Sequence, residues 1–167
     1  MNTKTNVVQM HRKAEKESEK KWSLAVMKVG FSIVPSLIFK AQARLGLSPT
    51  QLALLLHLVD YWWHRSQMPF PSKATLADRM NLSERQIQRY LTELENGGFI
   101  ERIERFASHQ GQQSNKYNLI GLVNKLKKLE PEFRQVKEQA EEQARTVAKP
   151  GGLARINKKK VSEGKHE

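Results

Sequence analysis

Residues 71–100, PSKATLADRMNLSERQIQRYLTELENGGFI, restrict the fold more than any other part of the chain. Ser72 stands where a serine oxygen accepts from an orphan amide in the first turn of a helix. Leu76, Ala77 and Met80 then place apolar weight on one helical face. Asn81, Leu82 and Ser83 make a tight turn, with Leu82 tucked onto the core. Ser83 opens a capping box with Gln86, so two orphan amides are satisfied reciprocally. The second helix buries Ile87, Tyr90, Leu91 and Leu94. Gly97 and Gly98 end it, because glycine takes the left-handed turn at little cost.

The open face of that second helix shows Glu84, Arg85, Gln86, Gln88, Arg89 and Thr92. Arginine reads guanine and glutamine reads adenine, each through paired hydrogen bonds. Two helices joined this way form a helix-turn-helix, whose second helix lies in a DNA major groove. A charged, solvated face is the simpler account of either helix taken alone. Turn spacing, cap, face chemistry and double glycine together favour DNA recognition. Glu84, Glu93 and Glu95 oppose a purely electrostatic grip, so phosphate contacts must come largely from elsewhere.

The flanks extend the pattern. Residues 99–106 alternate Phe99, Ile100 and Ile103 against Glu101, Arg102, Glu104 and Arg105, which predicts a half-buried strand. Residues 107–114 form a polar loop. Residues 115–120 form a second strand, with Tyr117 and Leu119 inward. Two strands after a recognition helix make a wing; its tip at 109–113, which holds no arginine, either reaches a minor groove or the backbone or is a plain surface hairpin. Ser72 and Lys73 at the first helix, Ser83 at the second, and Gln112, Asn115 and Lys116 on the wing complete the candidate DNA-contact set.

Upstream, residues 1–21 are polar, with Lys and Glu intermixed. Residues 22–33 turn apolar (Trp22, Leu24, Val26, Val29, Phe31, Ile33) and are expected to form a short strand or arm. A helix is predicted from Pro35 and Ser36 to about Leu45, with Leu37, Ile38, Ala41 and Leu45 inward and Gly46 as its stop. Ser48 caps a longer helix, with Pro49 at its first position and Gln51 closing a capping box. It runs to about His64 and is apolar nearly all round, as a central buried helix is. His57, Asp60 and His64 share helical spacing, but a metal would want more ligands and a second shell, so no metal is expected.

Downstream, Leu122, Leu126, Leu129, Phe133, Val136, Ala140 and Val147 fall near heptad spacing, with Gln143 at the weak spot. Pro131 is expected to break this stripe and start a new helix. Leu122, Leu126, Leu129, Phe133 and Val136 are the candidate dimer seam, against the simpler reading of a helix folded back on its own domain. Residues 148–167 are a basic, glycine-bearing tail with Lys158, Lys159 and Lys160, suited to non-specific DNA affinity.

A net charge of +12 over 167 residues points to an anionic partner. No apolar run spans a bilayer and the N-terminus is no signal peptide, so a cytoplasmic, nucleoid-associated protein without a membrane partner is expected. The absence of cysteine excludes disulfides, thiolate metal sites and a thiol nucleophile. No phosphate-binding glycine loop or nucleophile–base motif appears, so neither an enzyme nor a cofactor is expected.

Residues 31–129 resemble the winged helix-turn-helix proteins of phages and plasmids, including the N-terminal domains of replication initiators and replisome organisers. The resemblance rests on LSPTQLALLLHLVDYWW, PFPSKATLADRMNLSERQIQRYLTELENGGFI and SNKYNLIGLVNKLKKL. It implies a DNA-binding domain reading bases through the positions of residues 84–92. The expected fold is mainly α: a polar segment (1–21), a winged helix-turn-helix domain with a two-stranded wing (22–121), a C-terminal dimerisation helix (122–147) and the basic tail (148–167). The expected function is sequence-specific double-stranded DNA binding as a homodimer, in transcriptional regulation of a mobile element or plasmid locus. A replication or partition factor that recruits machinery at an origin is the alternative, and a winged-helix protein-interaction adaptor is the third.

Overall fold

The computed structural model describes residues 17–107 and 111–152. Residues 1–16 of the polar segment, 108–110 of the wing tip, and the part of the basic tail holding Arg155 and Lys158 to Lys160 lie outside the described residues.

The chain enters through a helical stretch at 17–22 and a short helix α1, Leu24–Val29. Of the two expectations for this segment, this corrects the strand. The alternation of Trp22, Leu24 and Val26 has no strand beside it to pair with, while the Ser23 hydroxyl accepts from the Val26 amide at 3.4 Å and starts a helix. Gly30 ends it, its N–H donating to Met27 O at 3.2 Å. The arm is laid over the domain edge rather than packed into it. Val29 is 91% and Ile33 75% exposed. Two contacts hold it. Phe31 meets Trp63 edge-on with centroids 6.4 Å apart, and Ser32 donates to Asp60.

Helix α2, Ser36–Lys40, starts where expected but stops short of Leu45, because the backbone leaves the helix at Ala41 (φ −96°, ψ 4°) and passes through turns to Gly46, which takes φ 69°. Ile38 and Ala41 are buried as expected. Helix α3, Pro49–Asp60, begins with the full Ser48–Gln51 capping box. Leu54, Leu55 and Leu58 are wholly inaccessible, which makes α3 the axis of the core. It stops at Asp60 rather than near His64, and Trp62 turns back onto the core.

Helices α4, Lys73–Met80, and α5, Glu84–Asn96, form the helix-turn-helix with the caps expected at Ser72 and Ser83. Asn81 takes the left-handed conformation (φ 51°, ψ 48°) that the turn demands. The Leu82 amide then donates to Ala77 O at 3.0 Å, and its side chain packs against the core. Ile87, Leu91 and Leu94 are buried under α3, whereas Tyr90 is half-buried. At roughly 1.5–3 kcal/mol for each fully buried Leu or Ile, these residues hold the recognition helix far more firmly than its caps do.

Strands β1, Glu101–Ala107, and β2, Gly111–Asn118, pair antiparallel. The second strand therefore starts earlier and ends sooner than the sequence suggests. The Tyr117 amide donates to Pro69 O at 2.8 Å, so the loop before α4 adds one strand-like bond beside the hairpin. Asn118 Oδ1 then accepts from the Ile120 amide at 3.1 Å and starts the next helix.

That helix, α6, runs unbroken over Ile120–Val147. Gly121 lies against the end of α5, where a Cβ would sit 2.3 Å from Gly98 O. Pro131 sits inside α6, not at a break. It removes one amide from the ladder, but Arg44 grips Glu132 at 2.6 Å and Arg134 pairs with Glu130 at 3.5 Å, holding the helix on both sides of it. Leu122 is buried in the domain's own core and Leu126 packs against that core, so the first part of the expected seam is used within the chain. Val136 is 65% exposed.

Candidate nucleic-acid interface

The outer face of α5 carries Glu84, Arg85, Gln86, Gln88 and Arg89 in the open, with Thr92 half-buried. Their freedom differs. Gln86 Oε1 accepts from both the Ser83 amide and the Ser83 hydroxyl at 2.9 Å, so this pair is engaged in the cap and only the Gln86 amide nitrogen faces out as a donor. The Thr92 hydroxyl donates to Gln88 O at 3.0 Å. Arg89 lies 3.7 Å from Glu93, with its guanidinium 4.9 Å from the Tyr90 ring. Arg85 makes no salt bridge among the described residues.

A cleft of about 740 Å³ separates α5 from the wing. Of the expected contact residues it brings together Ser72, Lys73, Glu84, Gln88 and Asn115. Arg85, Gln86, Arg89 and Thr92 stand outside it on the helix, and exposed Lys116 stands outside it on β2. Gln112 belongs to β2, its side chain outside the described set.

The cleft also holds residues that sequence reasoning passed over, namely Glu95, Arg102, Glu104, Gln113 and Ser114. Glu95 and Arg102 matter most. The Arg102 amide donates to Glu95 Oε1 at 2.9 Å, its Nε donates to Oε2 at 2.7 Å, and Nη2 donates to Oε2 as well. These bonds hold the Glu95 carboxyl below the usual carboxylate range, against the upward push of partial burial. They also tie the last turn of α5 to the first strand of the wing. The signal missed was the place of Arg102 on the same side of β1 as the helix end, which becomes visible only once the hairpin is folded. With that pair self-neutralised, Glu84 and Glu104 face Lys73 alone, so the cleft has little attraction for phosphate.

A second network braces the first helix of the motif. Asp60 accepts from Ser32 and, at 3.0 Å, from Arg79, whose guanidinium lies 4.5 Å from the Tyr61 ring. The Ser32 and Arg79 bonds hold the Asp60 carboxyl below its usual range. Asp60 therefore belongs to an arm–helix tie, while His57 is pushed down chiefly by burial.

Residues 45–100, about a third of the chain, match the family model described as a helix-turn-helix domain. The domain is a winged helix-turn-helix. Among solved structures, the chain is similar to the N-terminal domain of DnaD protein from Geobacillus kaustophilus, at 27% identity, 75% of this chain, 96% of that one and a TM-score of 0.47. It is similar to MarR at 23% identity, 77% of this chain, 85% of that one and a TM-score of 0.37. It is also similar to a disulfide-formed AbfR at 16% identity, 89% of this chain, 100% of that one and a TM-score of 0.39. No curated protein matches the chain. Among the described residues of this winged helix-turn-helix chain, no helix is long and apolar enough to cross a membrane.

Proposed function

We propose that the chain is a sequence-specific double-stranded DNA-binding protein of the cytoplasm that regulates transcription of a mobile element or plasmid locus as a homodimer. The observation that carries this reading is the outward face of α5. Its core side is locked by Ile87, Leu91 and Leu94, and its outer side offers Arg85, Gln88 and Arg89. A rigid helix that presents guanine- and adenine-reading groups has the chemistry for major-groove readout. The role is one of binding rather than catalysis. The exposed outer part of α6 favours a second reading, an origin-binding replication or partition factor that recruits machinery through that helix.

The test is selection of duplexes from a random pool by the full chain, followed by shift assays. Arg85→Ala should weaken the selected site by roughly ten- to a hundredfold, the range for one lost bidentate base contact. Arg89→Ala should cost less, since Glu93 already holds part of its charge. A single palindrome among selected sites supports regulation, and direct repeats support the origin reading. Recovery of no preferred sequence at low salt would overturn both.

A further inference from the structure

Phe106 is 71% exposed near the end of the wing, although the hairpin behind it is otherwise polar or packed. Its direction follows from the strand. Ile103 pairs with Lys116 and Arg105 with Gln113, so the one irregularity in the ladder puts its extra residue into β2 and leaves the alternation of β1 intact. Arg102, Glu104 and Phe106 therefore share a face. Arg102 and Glu104 line the cleft against α5, and so Phe106 stands on the recognition-helix side of the wing.

Two further features fit a working wing. Arg105, on the opposite face, lies with its guanidinium 4.6 Å from the Phe70 ring, which braces the hairpin from behind. Finally, Glu84 and Glu104 on the same side deny this face a charge-driven hold on the backbone, and apolar insertion needs none.

We infer that Phe106 is a minor-groove wedge: the wing seats its ring against a flexible pyrimidine–purine step, partly unstacks it and bends the duplex toward the major groove occupied by α5. Apolar side chains placed between base steps act in this way, and such steps yield most readily. The Glu95–Arg102 tie fixes the wing to the helix, so insertion and base reading occur in one register. The site's preference then includes a deformable step that no hydrogen bond reads. This inference rests on the proposed DNA-binding role of α5.

The experiment uses the full chain and a 40-base-pair duplex taken from the random-pool selection. The duplex carries donor and acceptor dyes at its ends and 2-aminopurine at the step flanking the α5 site. The wild type should shorten the end-to-end distance and brighten the 2-aminopurine. Phe106→Ala should bind roughly tenfold more weakly and leave the duplex straight and the probe quenched, with its thermal melt unchanged because the side chain is exposed. Phe106→Leu, still an apolar wedge, should keep most of the bend. A wild-type complex with straight DNA, or a Phe106→Ala complex as bent as the wild type, overturns the wedge while leaving major-groove recognition standing. Failure of the wild type to select any duplex removes the DNA-binding reading itself, and the wedge with it.

Discussion

Arg102 gives Glu95, seven positions before it in the chain, three hydrogen bonds, one from its backbone amide and two from its guanidinium. The pair is the only salt bridge among the described residues that joins α5 to the wing. It ties the last turn of the recognition helix to the first strand of the hairpin.

Glu95→Gln should therefore lower stability by about 1–2 kcal/mol at neutral pH, the scale of hydrogen bonds to a charged group. Urea unfolding measures it. The pH dependence has a definite sign. Glu95 has a depressed folded-state pKa, so its contribution is present above the ordinary glutamate value near 4.5 and is lost as pH falls below that through the depressed value. The gap between wild type and variant should close in acid. A gap that widens there would mean the carboxylate is not what holds the wing.

The turn between α4 and α5 gives a second prediction. Asn81 sits at φ 51°, where a Cβ crowds the following carbonyl. Asn81→Gly should leave the melting temperature nearly unchanged, and Asn81→Val should cost about 1–2 kcal/mol. Equal melts for the two variants would show that the turn relaxes away from the left-handed conformation.

Basic charge outside the cleft should control the salt dependence. Each phosphate neutralised contributes about −0.9 to the slope of log K against log salt. Removing residues 149–167, with Lys149, Arg155 and Lys158 to Lys160, should flatten that slope and leave sequence preference intact. Lys20 and Lys21 should retain a smaller share. A slope unchanged by the deletion would mean that the tail makes no phosphate contacts.

The fourth prediction concerns the dimer. Leu122 is committed to the core, so the proposed dimer would have to meet through the exposed outer half of α6, at Val136 and Ala140. Val136→Asp together with Ala140→Asp should give monomers with an intact fold, since neither residue is buried. Sedimentation at tens of micromolar decides it, and a wild-type monomer would remove the seam.

The caps at Ser48, Ser72 and Ser83, the turn at 81–83 and the glycine stop at 97–98 were legible because each is set by neighbours a few residues away; the left-handed conformation of Asn81 within that turn was not foreseen. The buried faces of α3 and α5 were legible for the same reason, through their helical period. What was not legible depends on distant partners. The apolar alternation at 22–26 suits a strand, and only the lack of a strand beside it leaves the Ser23 cap to decide for a helix. Pro131 reads as a break until Arg44, 88 residues from Glu132, is seen to clasp the helix next to it. The cleft was half visible, since Lys73 and Gln88 lie in one motif while Arg102 and Glu104 arrive from the wing.

Helix α6 holds 28 residues. At 1.5 Å per residue it is roughly 42 Å long, more than the 34 Å of one turn of DNA. Its root is fixed beside the recognition helix by Gly121 and Leu122. The Arg44–Glu132 pair holds it again further out, so only the exposed stretch from Arg134 to Val147, about 20 Å at that rise, extends past this second anchor. A load applied at the Val147 end is therefore borne first by the surface ion pair at Glu132 and only then by the packed root beside α5.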